Sequence, residues 1–313
     1  MAAQGVNGNP PRIAILGAGA VGQLLCHQLT QAGARVGLIA RPGSGQADRV
    51  TLDFTSLDNS RYQHSVALLP QDADAVKDLD LLLVCVKAYQ VVDALTPLLP
   101  RLAADCQLVL MHNGMGPYLT LLPKLAGRGL TLATTSQGAL RQGQWQVTQT
   151  GPGLTQLGWI HGPVMSEQHR ALLLGAIPDS QWCEAILPAL WQKLAVNAVI
   201  NPLTAIYECR NGELRRESFR PLRESVLQEL IQVAAADGIA LDAHALGERL
   251  ASVIALTANN YSSMHQDLAH GRRTEIEEIN GFILSRAALH GIAAPTNLRL
   301  YREIKRLQAL SGQ

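Results

Sequence analysis

The sequence predicts an α/β protein in two parts: a doubly wound parallel sheet over residues 1–180 and an all-helical domain over residues 181–313. Three observations carry this. A strand, a glycine-rich turn and a helix open the chain. Short apolar runs of strand length then alternate with helical stretches through the first half. Beyond Trp182 the apolar residues keep helical spacing almost throughout. The length of 313 residues suits two domains, and 47% hydrophobic residues can supply two cores.

The elements follow in order. Met1 to Pro11 is polar, with no basic n-region and no apolar h-region, so it reads as a frayed leader and not a signal peptide. Arg12 to Leu16 reads as a buried strand, Gly17 to Gly22 as a turn, and Gln23 to Gln31 as a helix packing Leu24, Leu25 and Leu29. Gly33 ends that helix and Arg35 to Ala40 forms the second strand. Leu81 to Val86 and Leu108 to His112 are continuous apolar runs, the pattern of strands covered on both faces. Thr131 to Ser136, Gly143 to Thr150 and Leu154 to Ile160 read as short strands that extend the sheet as antiparallel edges. The Ile177-Pro178-Asp179 break places the domain boundary near Ser180. Helical spacing then links Leu187, Leu190, Leu194 and Ala198, later Leu227, Leu230, Ile231 and Ala234, and finally Ile276, Ile279, Phe282 and Ile283.

Charge and cysteine usage exclude several classes. Lys plus Arg is 26 and Asp plus Glu is 25, so nothing drives the chain toward nucleic acid or an anionic membrane surface. The longest clean apolar run, Leu81 to Val86, is far short of the ~20 residues a membrane span needs. Five cysteines without C-x-x-C spacing argue against a disulfide framework or a zinc site. They read as reduced thiols of a cytoplasmic protein, and no metal is expected.

Gly17-Ala18-Gly19-Ala20-Val21-Gly22 follows a strand and opens a helix, the context of a Rossmann-type dinucleotide site. Gly17 permits the tight turn, Gly19 lets the backbone approach a pyrophosphate, and Gly22 lets helix and strand pack closely. The helix N-terminus offers unpaired N–H groups to phosphate. An NAD site has an acid at the end of the second strand, but here the strand ends in Arg41, followed by Pro42-Gly43-Ser44. Arg41 can pair with a 2′-phosphate, which points to NADP. Lys87 follows the next strand and reads as a cation for the phosphates or the 2′-phosphate, or as a surface lysine. Asn113 follows the strand after that and reads as an ordinary turn residue before glycine or as a donor and acceptor near the nicotinamide ribose. His112 beside it reads as filling a strand end.

In the helical half, Lys193, Asn197 and Asn201 are the only polar side chains from Lys193 to Leu203, spaced four apart. A helix sets them in one column that drifts by ~40° per step. A lysine among apolar neighbours has a depressed pKa and can exchange a proton near neutrality. A lysine snorkelling to solvent, with Pro202 ending or kinking the helix, is the alternative. Asn259 to Met264 reads as a helix break rich in donors, or as a plain turn with an N-cap serine. Arg273 to Gly281 reads as opening a helix, with Glu275 facing inward beside Ile279 and Phe282, and Glu277 facing solvent; an acid that the dipole favours in a first turn is the alternative for Glu275.

Taken in order, these blocks resemble the ketopantoate reductase (2-dehydropantoate 2-reductase) family from about Arg12 to about Leu307. The most specific are Gly17 to Gly22, Val86-Lys87-Ala88, His112 to Gly116, Trp191 to Asn197 and Asn201 to Ala205. Cys209 to Leu214, Ser262 to Asp267 and Thr274-Glu275-Ile276 add to them. The resemblance implies NADPH-dependent reduction of 2-dehydropantoate, a 2-keto acid, to pantoate on the way to pantothenate and coenzyme A. It implies Lys193 as proton donor, with Asn113, Asn197, Asn201, Asn211, Asn260 and Ser263 lining the substrate site. It implies Glu275 as the catalytic acid at the cofactor side, Arg41 and Lys87 on the 2′-phosphate, and the backbone near Ala139 against the cofactor. A reductase of another 2-keto acid on the same fold, and a non-catalytic NADP sensor, stay open. The expected partner is a small molecule, with no nucleic acid or membrane; a homodimer is compatible with the sequence, which does not fix the assembly.

Overall fold

The computed structural model describes residues 11–41 and 48–311. The expected leader before Pro11 and the Pro42-Gly43-Ser44 stretch lie outside the described residues. The chain divides into two units. The first runs to Val86 and adds Gln90–His112 and Leu119–Ile186; the second comprises Lys87–Tyr89, Asn113–Tyr118 and the chain from Leu187 onward. The second unit therefore takes two short segments from the first half of the sequence.

Among the described residues, eleven strands of the first unit form one sheet. They are β1 (Arg12–Leu16), β2 (Arg35–Ile39), β3 (Arg49–Thr55), β4 (Arg61–Leu69), β5 (Leu81–Val84), β6 (Gln107–Met111), β7 (Leu130–Thr135), β8 (Gly138–Gly143), β9 (Gln146–Gly151), β10 (Thr155–His161) and β11 (Ser180–Trp182). The sheet order is β11-β10-β7-β6-β5-β1-β2-β4-β3-β9-β8. The run from β7 to β4 is parallel throughout. Its winding reverses between β1 and β5, where doubly wound sheets bind their ligands.

Of the strands expected past Leu130 as antiparallel edges, the first departs from the expectation. β7 is parallel to β6 and belongs to the interior, whereas β10 lies antiparallel to β7, and β9, parallel to β3 and antiparallel to β8, runs near the sheet edge against the direction of the parallel run. β7 reads LTLATT and is buried over its first five residues, which is the covering of an inner strand. Ser180–Trp182, just after the Ile177-Pro178-Asp179 break, is still sheet: it pairs in parallel with β10.

Helix α1 (Ala20–Gln31) buries Leu24, Leu25, Cys26 and Leu29 against the sheet core formed by Ile13, Ile15, Leu38 and Leu83. The shorter helices α2 (Ala73–Val76), α3 (Val91–Leu95), α4 (Pro117–Leu121) and α5 (Glu167–Ala176) complete the alternation. The cysteines are unpaired, and burial pushes the Cys26, Cys85 and Cys106 thiols up to about 12.

The second unit is helical: α6 (Leu187–Ile206), α7 (Arg220–Ala236), α8 (Ala243–Leu256), α9 (Ser263–Ala269), α10 (Phe282–Leu289) and α11 (Pro295–Ser311). α6 packs against α7, α8, α9 and α11 and is buried almost continuously from Leu194 to Ala205. Pro202 neither ends nor breaks it. A proline inside a helix leaves the carbonyl four residues back without its donor. Here that carbonyl, of Ala198, accepts from the Asn280 side-chain amide at 3.2 Å. Asn280 reaches it from a single π-helical turn, Glu277–Gly281, and also donates to Asn297 Oδ1 at 3.0 Å. The Glu229 carboxylate anchors Asn297 through its backbone N–H at 2.9 Å and its side-chain amide at 2.8 Å. Among the described residues no helix is long and apolar enough to cross a membrane.

Candidate active site

In the first unit the glycine turn has the geometry of a phosphate cradle. Gly17 has φ +112°, and a Cβ there would press on the Val86 backbone nitrogen at 2.7 Å. A Cβ on Gly22 would collide with the Gly17 carbonyl, so α1 can sit this close to the turn only with glycine there. Gly19 is the reverse case: nothing lies within 4 Å of its missing Cβ. It is the N-cap of α1, has an extended backbone and brings no capping side chain. Gly19 therefore leaves room beside the N-terminus of α1, where a helix's first N–H groups have no intrahelical acceptor, and this fits a bound pyrophosphate.

Gln23, unforeseen from the sequence, braces this turn. It is fully buried, and its amide donates to the carbonyls of Ala18 and Gln144, each at 2.9 Å. Arg41 is exposed just past β2. Ala139 lies on β8, partly buried against the sheet core. His112 follows β6 and is partly buried.

The second unit holds the other expected residues. Lys193, Asn197 and Asn201 lie along α6; the first two are partly exposed in an otherwise buried stretch, and Asn201 is buried. Burial lowers the Lys193 ammonium to about 8; Glu275 opposes that shift and Arg249 adds to it.

Glu275 is 4% exposed and stands just before the π turn. The inward orientation expected of it is present, but the helix begins later than Arg273, at the π turn itself. Its carboxylate accepts from the Ala88 backbone N–H at 3.0 Å, from the Asn113 amide at 3.3 Å and from Lys87 Nζ at 3.5 Å. Glu277 is more open and binds Tyr301 and Lys305. Lys87 has a shorter contact with Asp267 Oδ2, at 2.8 Å. Burial pulls the Lys87 ammonium down, but Glu275 and Asp267 outweigh it and the net shift is upward.

Asn211, Asn260 and Ser263 come together around the turn before α9. The Asn211 N–H donates to the Asn260 carbonyl at 2.9 Å, and the Asn211 amide donates to the Thr257 hydroxyl at 2.9 Å. Asn211 Oδ1 is buried and bonds nothing among the described residues. Asn260 and Ser263 are exposed, while Ser262 is buried and caps α9 by accepting the His265 N–H at 3.1 Å. Among the described residues no group of three or more His, Cys, Asp or Glu side chains could hold a metal ion.

Two family models match the chain: "Ketopantoate reductase PanE/ApbA" over residues 13–162 and "Ketopantoate reductase PanE/ApbA C terminal" over residues 185–308. This chain belongs to the ketopantoate reductase family. It is accordingly an oxidoreductase on a Rossmann-like fold. A 2-dehydropantoate 2-reductase of Vibrio cholerae is 40% identical over 297 residues, covering 95% of this chain and 97% of that protein. One of Yersinia pestis is 37% identical over 300 residues, covering 95% of each. The crystal structure of a ketopantoate reductase of this family from Ralstonia eutropha superposes with a TM-score of 0.85 at 29% identity, over 96% of this chain and all (100%) of that one.

Proposed function

We propose that this chain reduces 2-dehydropantoate to pantoate with NADPH, a step toward pantothenate and coenzyme A, and that Lys193 donates the proton. The observation that carries this reading is the Lys193 ammonium, brought by burial to about 8 on the same helix as Asn197 and Asn201, with Glu275 as counter-charge. The similarity to the 2-dehydropantoate 2-reductases of Vibrio cholerae and Yersinia pestis supports the substrate.

The glycine turn and the N-terminus of α1 would hold the pyrophosphate, the backbone near Ala139 would touch the dinucleotide, and Arg41 would pair with a 2′-phosphate. Lys87, already shared by Asp267 and Glu275, would add a smaller part. When bound, the nicotinamide supplies the hydride for the C2 carbonyl carbon. Lys193 stabilises the negative charge growing on the carbonyl oxygen and delivers a proton to it. Asn197, Asn201, Asn211, Asn260 and Ser263 fix the carboxylate and the distal hydroxyl without adding charge, which orients the carbonyl. Glu275 keeps Lys193 protonated, and Asn113, bonded to Glu275, is held beside the reacting groups.

The test is Lys193→Ala in 2-dehydropantoate reduction followed by NADPH absorbance. Loss of a general acid costs ~10²–10⁴ in kcat while cofactor affinity is kept. Near-normal turnover by folded Lys193→Ala would move the proton donor elsewhere.

A further inference from the structure

Lys87, Asp267, Arg272 and Glu275 form a closed charge cluster within the second unit. Both carboxylates are nearly inaccessible, with side chains 5% and 4% exposed. Buried carboxylates persist only when cations or donors compensate them. Among the described residues Lys87 forms an ion pair with both, and it does so unequally: 2.8 Å to Asp267 and 3.5 Å to Glu275. Arg272 Nε closes the far side of Asp267 at 2.9 Å. Read in sequence, the charges alternate from Arg272 to Asp267, Lys87, Glu275 and then Lys193.

We propose that Asp267 is a positioning residue of this site: by taking the short ion pair with Lys87, it keeps Glu275 as the counter-charge open to Lys193. The inference rests on the reading of Lys193 as proton donor only for its kinetic consequence; the charge arrangement stands by itself. Without Asp267, Lys87 has one carboxylate left to serve and closes on Glu275, whose negative charge is then spent before it reaches Lys193. Without Lys87, Glu275 faces Lys193 with its full charge. The two neutralisations therefore act on Lys193 in opposite senses, which simple loosening of the site would not do.

Arg249 of α8 faces Lys193. Glu278 of the π turn faces Glu275 and Arg273. Tyr89 lies near Lys87 and Asp267, with the Arg273 guanidinium 4.4 Å over its ring.

The chain has five lysines, so lysine-selective ¹³C labelling can follow each ε-carbon through a pH titration, and Lys193→Arg assigns the resonance of interest. Asp267→Asn is expected to move the Lys193 titration down by on the order of half to one pH unit, and Lys87→Met to move it up by a similar amount. Arg272→Gln is expected to move it up by less; that side chain is 52% exposed, so the substitution is tolerated by the fold. No movement, or movement of Asp267→Asn and Lys87→Met in one direction, overturns the proposal. Should Asp267→Asn fail to fold, Arg272→Gln decides: an upward shift supports the role and an unchanged titration overturns it. The basic limb of kcat/KM is read on the same variants. A limb that stays fixed while the Lys193 resonance moves as expected leaves the positioning role standing and refutes Lys193 as the proton donor.

Discussion

Lys193 and His27 are both depressed by burial, and the two shifts have different consequences. For Lys193, protonated at neutral pH and lowered to about 8, the consequence is kinetic. A proton donor works only while it holds its proton, so kcat/KM for keto-acid reduction should stay level below about pH 8 and fall roughly tenfold per unit above it. A profile flat to pH 10 would remove Lys193 from that role. For His27 the consequence is stability. Its ring stacks on Phe54 at 3.6 Å and its Nδ1 meets His64 Nε2 at 2.8 Å. Burial, and after it the His64 ring, lower it from 6.5 to about 4. Between those values the unfolded chain binds a proton that the folded one refuses. The contribution is thus complete above pH 6.5 and is lost as pH falls toward about 4. It amounts to on the order of 3 kcal/mol, and His64, also lowered by burial, adds in the same sense. Urea unfolding at stepped pH should show this slope in the wild type and a flatter one in His27→Gln; equal slopes would place the acid sensitivity elsewhere.

At the scale of elements, α6 depends on a donor from outside itself. Asn280→Ala strips the Ala198 carbonyl and Asn297 Oδ1 of a buried partner, which should cost about 2–4 kcal/mol in urea unfolding. Pro202→Ala restores a backbone N–H that can reach the same carbonyl. The cost of Asn280→Ala should therefore shrink by about 1 kcal/mol or more in that background, and strictly additive costs would break the link. This pairing also marks where sequence reasoning stops. The strand, glycine turn and α1 were legible because each glycine acts on its immediate neighbours. The Lys193-Asn197-Asn201 column was legible because helical periodicity turns spacing into a face. Asn280, Gln23 and Asp267 were not, because their partners stand 82, 121 and 180 residues away. The β3–β4 hairpin was missed for another reason: RVTLDFT alternates apolar and polar residues and RYQHSVALL turns apolar only over its last four, so neither shows the longer apolar run that marked the inner strands. At Glu275 the inward orientation was readable, but the π turn that follows it has no sequence period of its own.

For the whole molecule, cofactor choice should be visible as stability as well as rate. A ligand that binds only the folded chain stabilises it by about 2.7 kcal/mol at a hundred times its Kd. NADPH should raise the unfolding midpoint more than NADH at equal concentration, and Arg41→Ala should abolish the difference while leaving the NADH effect in place. An equal loss with both dinucleotides would mean that Arg41 holds the adenine or the fold instead. Two glycine-turn residues, Gly17 and Gly22, are poor places to look for the same effect, because a side chain at either meets backbone atoms before any ligand arrives.

The interleaving of the two units also imposes a timetable on synthesis. Asn113 and Lys87 precede Glu275 by 162 and 188 residues. On a ribosome adding ~5–20 residues per second, they wait about 10–40 s for the carboxylate they will compensate. A fragment started at Leu187 would never meet them. It would have to bury Glu275 without the Ala88 N–H, the Asn113 amide or the Lys87 ammonium, so the helical half is not an autonomous gene segment that could be cut out and moved intact.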